Sequence, residues 1–119
     1  MRITANEWAV MEALWAGGSY SLGELAAAVD EGLGWSKNTL ATYLKRMAAK
    51  GLVKIERGAP KPYSAAVERD DCARAEREAL LNRVYNGAAG ELIAAFLTES
   101  RISRSEAERL RRLLDEMEV

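Results

Sequence analysis

The sequence has little of what enzymes and metalloproteins use most. Its 119 residues contain no histidine, one cysteine and only 7% aromatic residues. Without histidine the chain lacks the commonest general base and a common metal ligand. The lone cysteine, Cys72, allows no intramolecular disulfide and no Cys/His nucleophile pair; on an apolar helix face we expect a small hydrophobic residue rather than a redox sensor. We therefore predict neither an enzyme nor a metal or cofactor site.

Long apolar runs are missing as well. No stretch approaches the roughly 18–20 apolar residues that a membrane span needs, and the N-terminus lacks the apolar segment of a signal peptide. We expect a cytoplasmic protein without membrane insertion. With 49% hydrophobic residues and two prolines the chain should fold. Because much of that fraction is alanine, the core of one subunit is expected to be too small, which favours a partner chain.

Positive charge is concentrated in residues 35–63. This stretch holds seven of the 17 basic residues and one of the 18 acidic ones, although the net charge is −1. The alternative is an ordinary solvated face, but the charges fall on one predicted helix and the hairpin after it, which favours a surface that meets a polyanion. The basic residues are Lys37, Lys45, Arg46, Lys50, Lys54, Arg57 and Lys61.

Three helices are predicted before and within this stretch. Thr4–Glu7 and Ser21–Glu24 have the pattern of capping boxes, and each is followed by apolar residues at helical spacing. The first helix should end at Gly17 and Gly18, and the second should break at residues 30–34. Ser36 is the expected N-cap of the third helix, and Gly51 its stop.

A hairpin is predicted directly after the third helix. Residues 52–57 alternate between apolar and polar, residues 58–60 form a turn, and residues 61–66 return. Ser19–Tyr20 is a candidate third strand. Three helices followed by a hairpin indicate a winged helix-turn-helix domain over residues 1–66, so the fold class is mainly α with a small β-hairpin.

The second half of the chain differs in charge and pattern. Residues 67–119 contain arginine but no lysine, and they predict helices over 68–85 and 87–99 and a third from the capping box Ser103–Glu106. The apolar faces of three short amphipathic helices after a completed domain need a surface to pack against. The same helices of a second copy of the chain can provide it, which gives a dimer with two-fold symmetry. We therefore predict a helical dimerisation domain over residues 67–119.

With these elements in place, the chain resembles the penicillinase-repressor family, the BlaI/MecI/CopY transcriptional regulators. The resemblance implies a dimer that binds a palindromic operator, with the third helix in the major groove and the wing over the backbone. It also implies DNA contacts for Ser36, Thr39, Thr42 and Arg46. The matching features are Ile3–Thr4, Glu7–Trp8, Val10–Met11, Leu14–Trp15, Trp35–Ser36, Thr39, Thr42, Leu44, Arg46, the Lys50–Gly51 turn, the hairpin ending at Tyr63, the asparagine–glycine-like stop after Val84–Tyr85 and the helix from Ser103 to Leu114.

The chain departs from this family at several positions. Lys37 and Asn38 stand where members usually have proline and lysine, and Ala41 stands where a basic or polar residue is common, so the operator sequence is expected to differ. Antibiotic-responsive members are cleaved at an asparagine–phenylalanine bond, and the corresponding pair here is Ala95–Phe96. Release by a membrane sensor-protease therefore stays open. The cysteine-rich ending of copper-responsive relatives is missing, which disfavours copper sensing.

The predicted function is a dimeric repressor of resistance or stress genes, such as those of the β-lactam response, acting on a double-stranded DNA operator. Tyr43 is left open between a core position and a phosphate contact. The alternative is a winged-helix interaction module that binds an acidic protein. For DNA, we assign phosphate contacts to Lys45, Arg46, Lys50, Arg57 and Lys61, and base-edge contacts to Lys37, Asn38, Thr39 and Thr42.

Overall fold

A computed structural model describes residues 2–99 and 101–117, except for the side chains of residues 30–32. This part of the chain forms two compact units, Met1–Glu76 and Arg77–Val119. It contains six α-helices and three short β-strands. In chain order these are α1 (Ala5–Gly17), β1 (Ser19–Tyr20), α2 (Leu22–Leu33), α3 (Lys37–Ala49), β2 (Val53–Ile55), β3 (Tyr63–Ala65), α4 (Arg69–Tyr85), α5 (Ala89–Thr98) and α6 (Arg104–Glu116).

The first two helices begin at the predicted capping boxes. The backbone N–H of Thr4 donates to the Glu7 carboxylate at 2.9 Å, and the N–H of Glu7 donates to the Thr4 hydroxyl at 3.2 Å. Ser21 and Glu24 make the same two bonds at the start of α2. The predicted break at residues 30–34 is wrong, because α2 continues to Leu33. The helix ends only before Gly34, whose φ of +61° is a conformation that glycine adopts readily.

The three strands form one antiparallel sheet in the order β1-β3-β2. Ser19 pairs with Ser64 in β3, and Val53 pairs with Ala65, so the predicted third strand is confirmed. We call the hairpin of β2, β3 and the connecting residues 56–62 the wing. Three helices and this sheet make the predicted winged helix, and the fold class is confirmed.

The core of the first unit lies between the three helices and the sheet. Leu40, Leu44 and Met47 are completely buried, which fixes the inward face of α3 and leaves the opposite face exposed. Each such side chain contributes roughly 1.5–3 kcal/mol on burial. The buried cluster consists of Val10, Met11, Leu14, Leu25, Val29, Leu40, Leu44, Met47, Leu52 and Val53.

The start of α4 belongs to the first compact unit. The indole N–H of Trp15 donates to the Val67 carbonyl at 2.9 Å, and Arg69 forms an ion pair with Glu12 at 3.0 Å. Cys72 is buried. These contacts explain why the boundary between the units lies after Glu76, inside α4, whereas the sequence placed it after residue 66. The functional division into DNA-binding and dimerisation segments stays a prediction.

The second unit contains the rest of α4, together with α5 and α6. The capping box of α6 is confirmed, with Ser103 and Glu106 bonded at 3.0 and 3.2 Å. Ile93 and Leu97 of α5 line an apolar pocket with Leu110 and Leu114 of α6. Over the described ranges 2–99 and 101–117, none of the helices combines the length and the apolar character that crossing a bilayer requires.

Candidate nucleic-acid interface

The start of α3 is built by Ser36. Its hydroxyl accepts a hydrogen bond from the backbone N–H of Thr39 at 3.2 Å, as predicted for an N-cap. The hydroxyl oxygens of Ser36 and Thr39 lie 3.1 Å apart. Among the six described helices, α3 alone has no acidic residue in its first turn. The partial positive charge at its N-terminus is therefore not compensated locally, which favours a nearby anion.

One face of α3 carries polar and basic side chains into solvent. Asn38, Thr42, Lys45 and Arg46 are all exposed, and their spacing of three and four residues makes them neighbours on the helix surface. We call these four residues the exposed α3 face. The Thr42 hydroxyl donates to the Asn38 carbonyl at 3.0 Å, which leaves its lone pairs free to accept from a base or a bound water.

Lys37 lies slightly apart from this face. A Cβ added to Gly23 of α2 would be 3.6 Å from the Lys37 ammonium nitrogen, so the lysine side chain extends beside the start of α2. It is exposed and lies one residue after the helix cap. The structure thus places Ser36, Lys37, Asn38 and Thr39 together at the N-terminus of α3.

A groove of about 350 Å³ separates α3 from the wing and brings two predicted basic residues together. Lys45 contributes from the helix and Arg57 from the hairpin. Neither forms an ion pair with a carboxylate of residues 2–99 or 101–117. Two unneutralised cations beside one groove can hold an anion such as a phosphate. The groove is lined by Ala41, Lys45, Ile55, Arg57, Gly58, Pro62 and Tyr63.

Lys61 of the wing pairs with Glu24 in the first turn of α2 at 2.8 Å. This bond and the backbone N–H of Ser21 lower the pKa of Glu24 to about 2. Both side chains are solvent-exposed, and exposed ion pairs add little to stability because water screens their charges. The wing is therefore tied to α2 by a contact that a phosphate can replace at little cost.

Lys50 has a different environment from the other predicted contacts. Its ammonium donates to the two carboxylate oxygens of Glu7 at 2.8 and 2.9 Å and to the Arg2 carbonyl at 3.0 Å. These three acceptors match its three protons. Burial by itself would raise the pKa of Glu7, but the bonds from Lys50 and Thr4 outweigh it and lower the pKa. The phosphate contact predicted for Lys50 therefore has no free donor in this geometry, because Lys50 joins the end of α3 to the start of α1.

Tyr43 is half-buried and packs in two directions. Its ring stacks on Trp35, with centroids 4.1 Å apart and an angle of 29° between the planes. The guanidinium carbon of Arg46 lies 5.5 Å from the centre of the same ring. Sequence spacing identified Trp35 only as a packing residue. A stack between residues eight positions apart has no simple sequence signal, because it depends on how the chain enters the helix.

Ala95 and Phe96 lie inside α5 rather than in a loop. The Ala95 carbonyl accepts the backbone N–H of Glu99 at 3.1 Å, while the Phe96 side chain is 47% exposed. A protease that needs an extended backbone can reach this bond only after local unwinding of the helix.

Cys72 is buried in the first unit. Burial raises the pKa of its thiol, and the carboxylates of Asp71 and Glu76 raise it further. Redox-sensing cysteines have the opposite character, with a lowered pKa and solvent access. The environment of Cys72 is thus the one expected of a small hydrophobic residue.

Comparison with known proteins relates this chain to a family. The model of the family described as "Penicillinase repressor" matches residues 3–116. The chain is 27% identical to the penicillinase repressor of Bacillus licheniformis, over 97% of this chain and 91% of that protein. It is 26% identical to the methicillin resistance regulatory protein MecI of Staphylococcus aureus (strain N315), over 95% and 93%. A crystal structure of a MarR family transcriptional regulator from Silicibacter pomeroyi DSS matches with a TM-score of 0.49 and 14% identity, over 97% of this chain and 68% of that one. The resemblance inferred from the sequence is confirmed, and the chain belongs to the penicillinase repressor family.

Proposed function

We propose that this protein is a transcriptional repressor that binds a palindromic double-stranded DNA operator as a homodimer. Family membership supports a DNA-binding repressor. The observation that carries the proposal is the exposed α3 face beside a wing whose Arg57 has no described ion pair. This arrangement offers hydrogen-bond donors and acceptors for base edges next to cations for phosphates.

The residues divide into two roles. Lys45, Arg46 and Arg57 bind phosphates, and Lys61 joins them by exchanging Glu24 for a phosphate. Asn38 pairs with an adenine and Lys37 with a guanine, while Thr39 and Thr42 contact neighbouring base edges. Ser36 caps the helix that brings these groups into the major groove. Lys50 holds α3 against α1 and is omitted from the interface.

A homodimer follows from the reach of one helix. A single reading helix contacts only a few base pairs, so two half-sites about one turn or more apart are needed for useful specificity. The second unit exposes large apolar side chains on α5 and α6, including Phe96, Leu113 and Leu114. Several large apolar side chains exposed on one unit favour contact with a second copy.

DNA binding is tested by selecting duplexes from a random pool and measuring affinity by fluorescence anisotropy at several salt concentrations. We expect selected sequences with two-fold symmetry. Arg46→Ala should weaken binding to every duplex and reduce the salt slope by about 0.9, the value for one lost phosphate contact. Asn38→Ala should instead relax the preference at one base pair and leave the slope unchanged.

Two outcomes would count against these assignments. An unchanged salt slope in Arg46→Ala would show that Arg46 does not contact a phosphate. Non-specific DNA binders reach a Kd of about 10⁻⁴–10⁻⁶ M at physiological salt and bind more tightly at low salt. Absence of binding to any duplex at low salt would therefore favour the alternative module that binds an acidic protein.

Regulation is proposed through α5. Two of the protein's relatives are a penicillinase repressor and a methicillin resistance regulatory protein, which supports control of resistance genes such as those of the β-lactam response. A membrane sensor-protease would release the operator by cutting between Ala95 and Phe96 after α5 unwinds. Immunoblotting of cells before and after β-lactam exposure tests this: cleavage should yield a fragment ending at Ala95 and be blocked by Phe96→Ala. Induction with an intact chain would contradict it.

A further inference from the structure

Arg46 lies over the ring of Tyr43, which in turn stacks on Trp35 in the loop before α3. Tyr43 precedes it by one turn of α3, and Trp35 precedes the cap residue Ser36. Trp35 and Tyr43 are stacked at 4.1 Å, and the Arg46 guanidinium lies 5.5 Å from the Tyr43 ring centre. The three side chains therefore form a continuous series from the loop before α3 to its third turn.

The two rings are fixed, whereas the guanidinium is available. Trp35 and Tyr43 are half-buried and pack against the hydrophobic core. Arg46 is exposed, and its side chain makes no hydrogen bond or ion pair with another residue in the described ranges. Its N–H donors are thus free for a ligand, while the ring limits where the guanidinium can go.

We propose that Trp35 and Tyr43 are positioning residues that hold the Arg46 guanidinium in place before DNA arrives. The planar guanidinium rests over the Tyr43 ring by a cation–π contact and still presents its N–H donors to a phosphate. Holding the side chain in advance reduces the freedom that it loses on binding. This inference rests on the proposed function, since it takes Arg46 to contact a phosphate.

Support of Arg46 and direct binding of a phosphate depend on different parts of the Tyr43 side chain. If Tyr43 acts by supporting Arg46, the face of its ring is what matters and its hydroxyl is dispensable. If Tyr43 binds a phosphate directly, the hydroxyl is what matters and Arg46 is irrelevant to it. Replacing Tyr43 by phenylalanine and by leucine therefore separates the roles.

The test is a double-mutant cycle on the full chain. Affinity is measured by anisotropy for a fluorescein-labelled duplex of about 20 base pairs and arbitrary sequence in about 50 mM salt, because phosphate contacts act on any sequence. The variants are Tyr43→Leu, Arg46→Ala and both together, with Tyr43→Phe as the matched control. We expect Tyr43→Leu to weaken binding about two- to fivefold, the range of an exposed cation–π contact, and to have no effect when Arg46 is already alanine. Tyr43→Phe should bind as the unmodified chain does.

Other results would overturn the proposal. An equal loss from Tyr43→Leu with and without Arg46 would show that the ring acts independently. A loss in Tyr43→Phe as large as in Tyr43→Leu would assign the role to the hydroxyl. If the unmodified chain bound no duplex at all, the proposed function would fail as a whole, whereas binding with an additive cycle would refute the positioning role alone.

A second variant keeps the test independent of folding. If thermal unfolding shows that Tyr43→Leu is not folded, Arg46→Lys replaces it, because residue 46 is exposed and the charge is retained. Lysine cannot present a planar group to the ring. Binding about two- to fivefold weaker with an unchanged salt slope supports the stack, and unchanged affinity contradicts it.

Discussion

The two compact units differ in whether their apolar side chains are buried. In Met1–Glu76, ten hydrophobic side chains form a buried cluster. In the described part of Arg77–Val119, no side chain is buried. The large hydrophobic residues that the described chain leaves exposed all lie in this second unit: Leu80, Val84, Ile93, Phe96, Leu97, Leu113, Leu114 and Met117.

This difference shows which exposed features of the chain require an explanation other than the folding of one copy. The first unit buries its large hydrophobic residues in its own core. Its remaining exposed feature, the exposed α3 face beside the wing, therefore requires a functional explanation. The second unit keeps in water apolar area that would contribute about 25 cal/mol per Å² if it were buried. A partner surface that covers these apolar side chains would stabilise the helices, which supports the proposed homodimer.

The largest expected effect is on self-association. Leu114 is 61% exposed in the isolated chain, and a two-fold interface buries it twice. At about 1.5–3 kcal/mol for each leucine, Leu114→Glu should raise the dimer Kd more than 100-fold. Sedimentation equilibrium measures this, and far-UV circular dichroism checks that the helices remain.

Arg112→Gln is the matched control for this variant. It changes the net charge by the same amount, and helical spacing puts residue 112 on the face of α6 opposite to Leu114. We expect its self-association to be unchanged. Equal weakening in both variants would attribute the effect to charge and remove the argument for an apolar interface.

The second prediction compares one substitution in the two units. Leu40→Ala removes a completely buried side chain and should lower the free energy of unfolding by about 2–5 kcal/mol. Leu114→Ala, measured at protein concentrations too low for association, should lower it by less than about 1 kcal/mol. Urea denaturation followed by circular dichroism gives both values. Similar losses at the two positions would mean that the second unit has a core of its own.

Most of the fold was predictable because it depends on local signals. Thr4, Ser21, Ser36 and Ser103 all cap the helices that their sequence contexts predicted, since a cap needs only residues three positions apart. The end of α2 was placed too early because Gly32 and Gly34 look alike in sequence, and only the backbone shows that the second one carries the positive φ.

The candidate site was less predictable because its charged side chains pair with residues that are distant in the sequence. Lys50 looked equivalent to Lys45 in the sequence, yet Glu7, 43 positions earlier, binds all of its donors together with Arg2. The Lys61–Glu24 pair spans 37 positions and was missed for the same reason. Charge counting finds a basic surface, but tertiary structure decides which cations remain free.

The third prediction concerns the partly buried Glu7–Lys50 ion pair, which belongs to the first unit alone. The lowered pKa of Glu7 means that its contribution to stability is present above its ordinary value of 4.5 and is lost as the pH falls through the lowered value. We expect Glu7→Gln to cost about 1–3 kcal/mol at neutral pH. Urea midpoints between about pH 7 and pH 3 should converge for the two proteins in acid.

Glu56→Gln is the control for that measurement. It removes the same charge from an exposed position in the wing, so its stability should stay within about 0.5 kcal/mol of the unmodified chain. If Glu7→Gln behaved like Glu56→Gln at neutral pH, the ion pair would not stabilise the junction of α1 and α3, and Lys50 would again be available to DNA.

The smallest effects come from two glycines, one in each unit, and they should have opposite signs. A Cβ on Gly17 would overlap the Tyr20 ring, which packs against the core, whereas a Cβ on Gly90 in α5 meets nothing within 4 Å. Gly17→Ala should therefore destabilise the protein by about 1–2 kcal/mol. Gly90→Ala should stabilise it by about 0.5–1 kcal/mol, because alanine favours the helix and the open surface accepts it. Thermal unfolding measures both. Stabilisation by Gly17→Ala would show that Tyr20 moves aside freely, and that the first unit is less tightly packed than the comparison with the second requires.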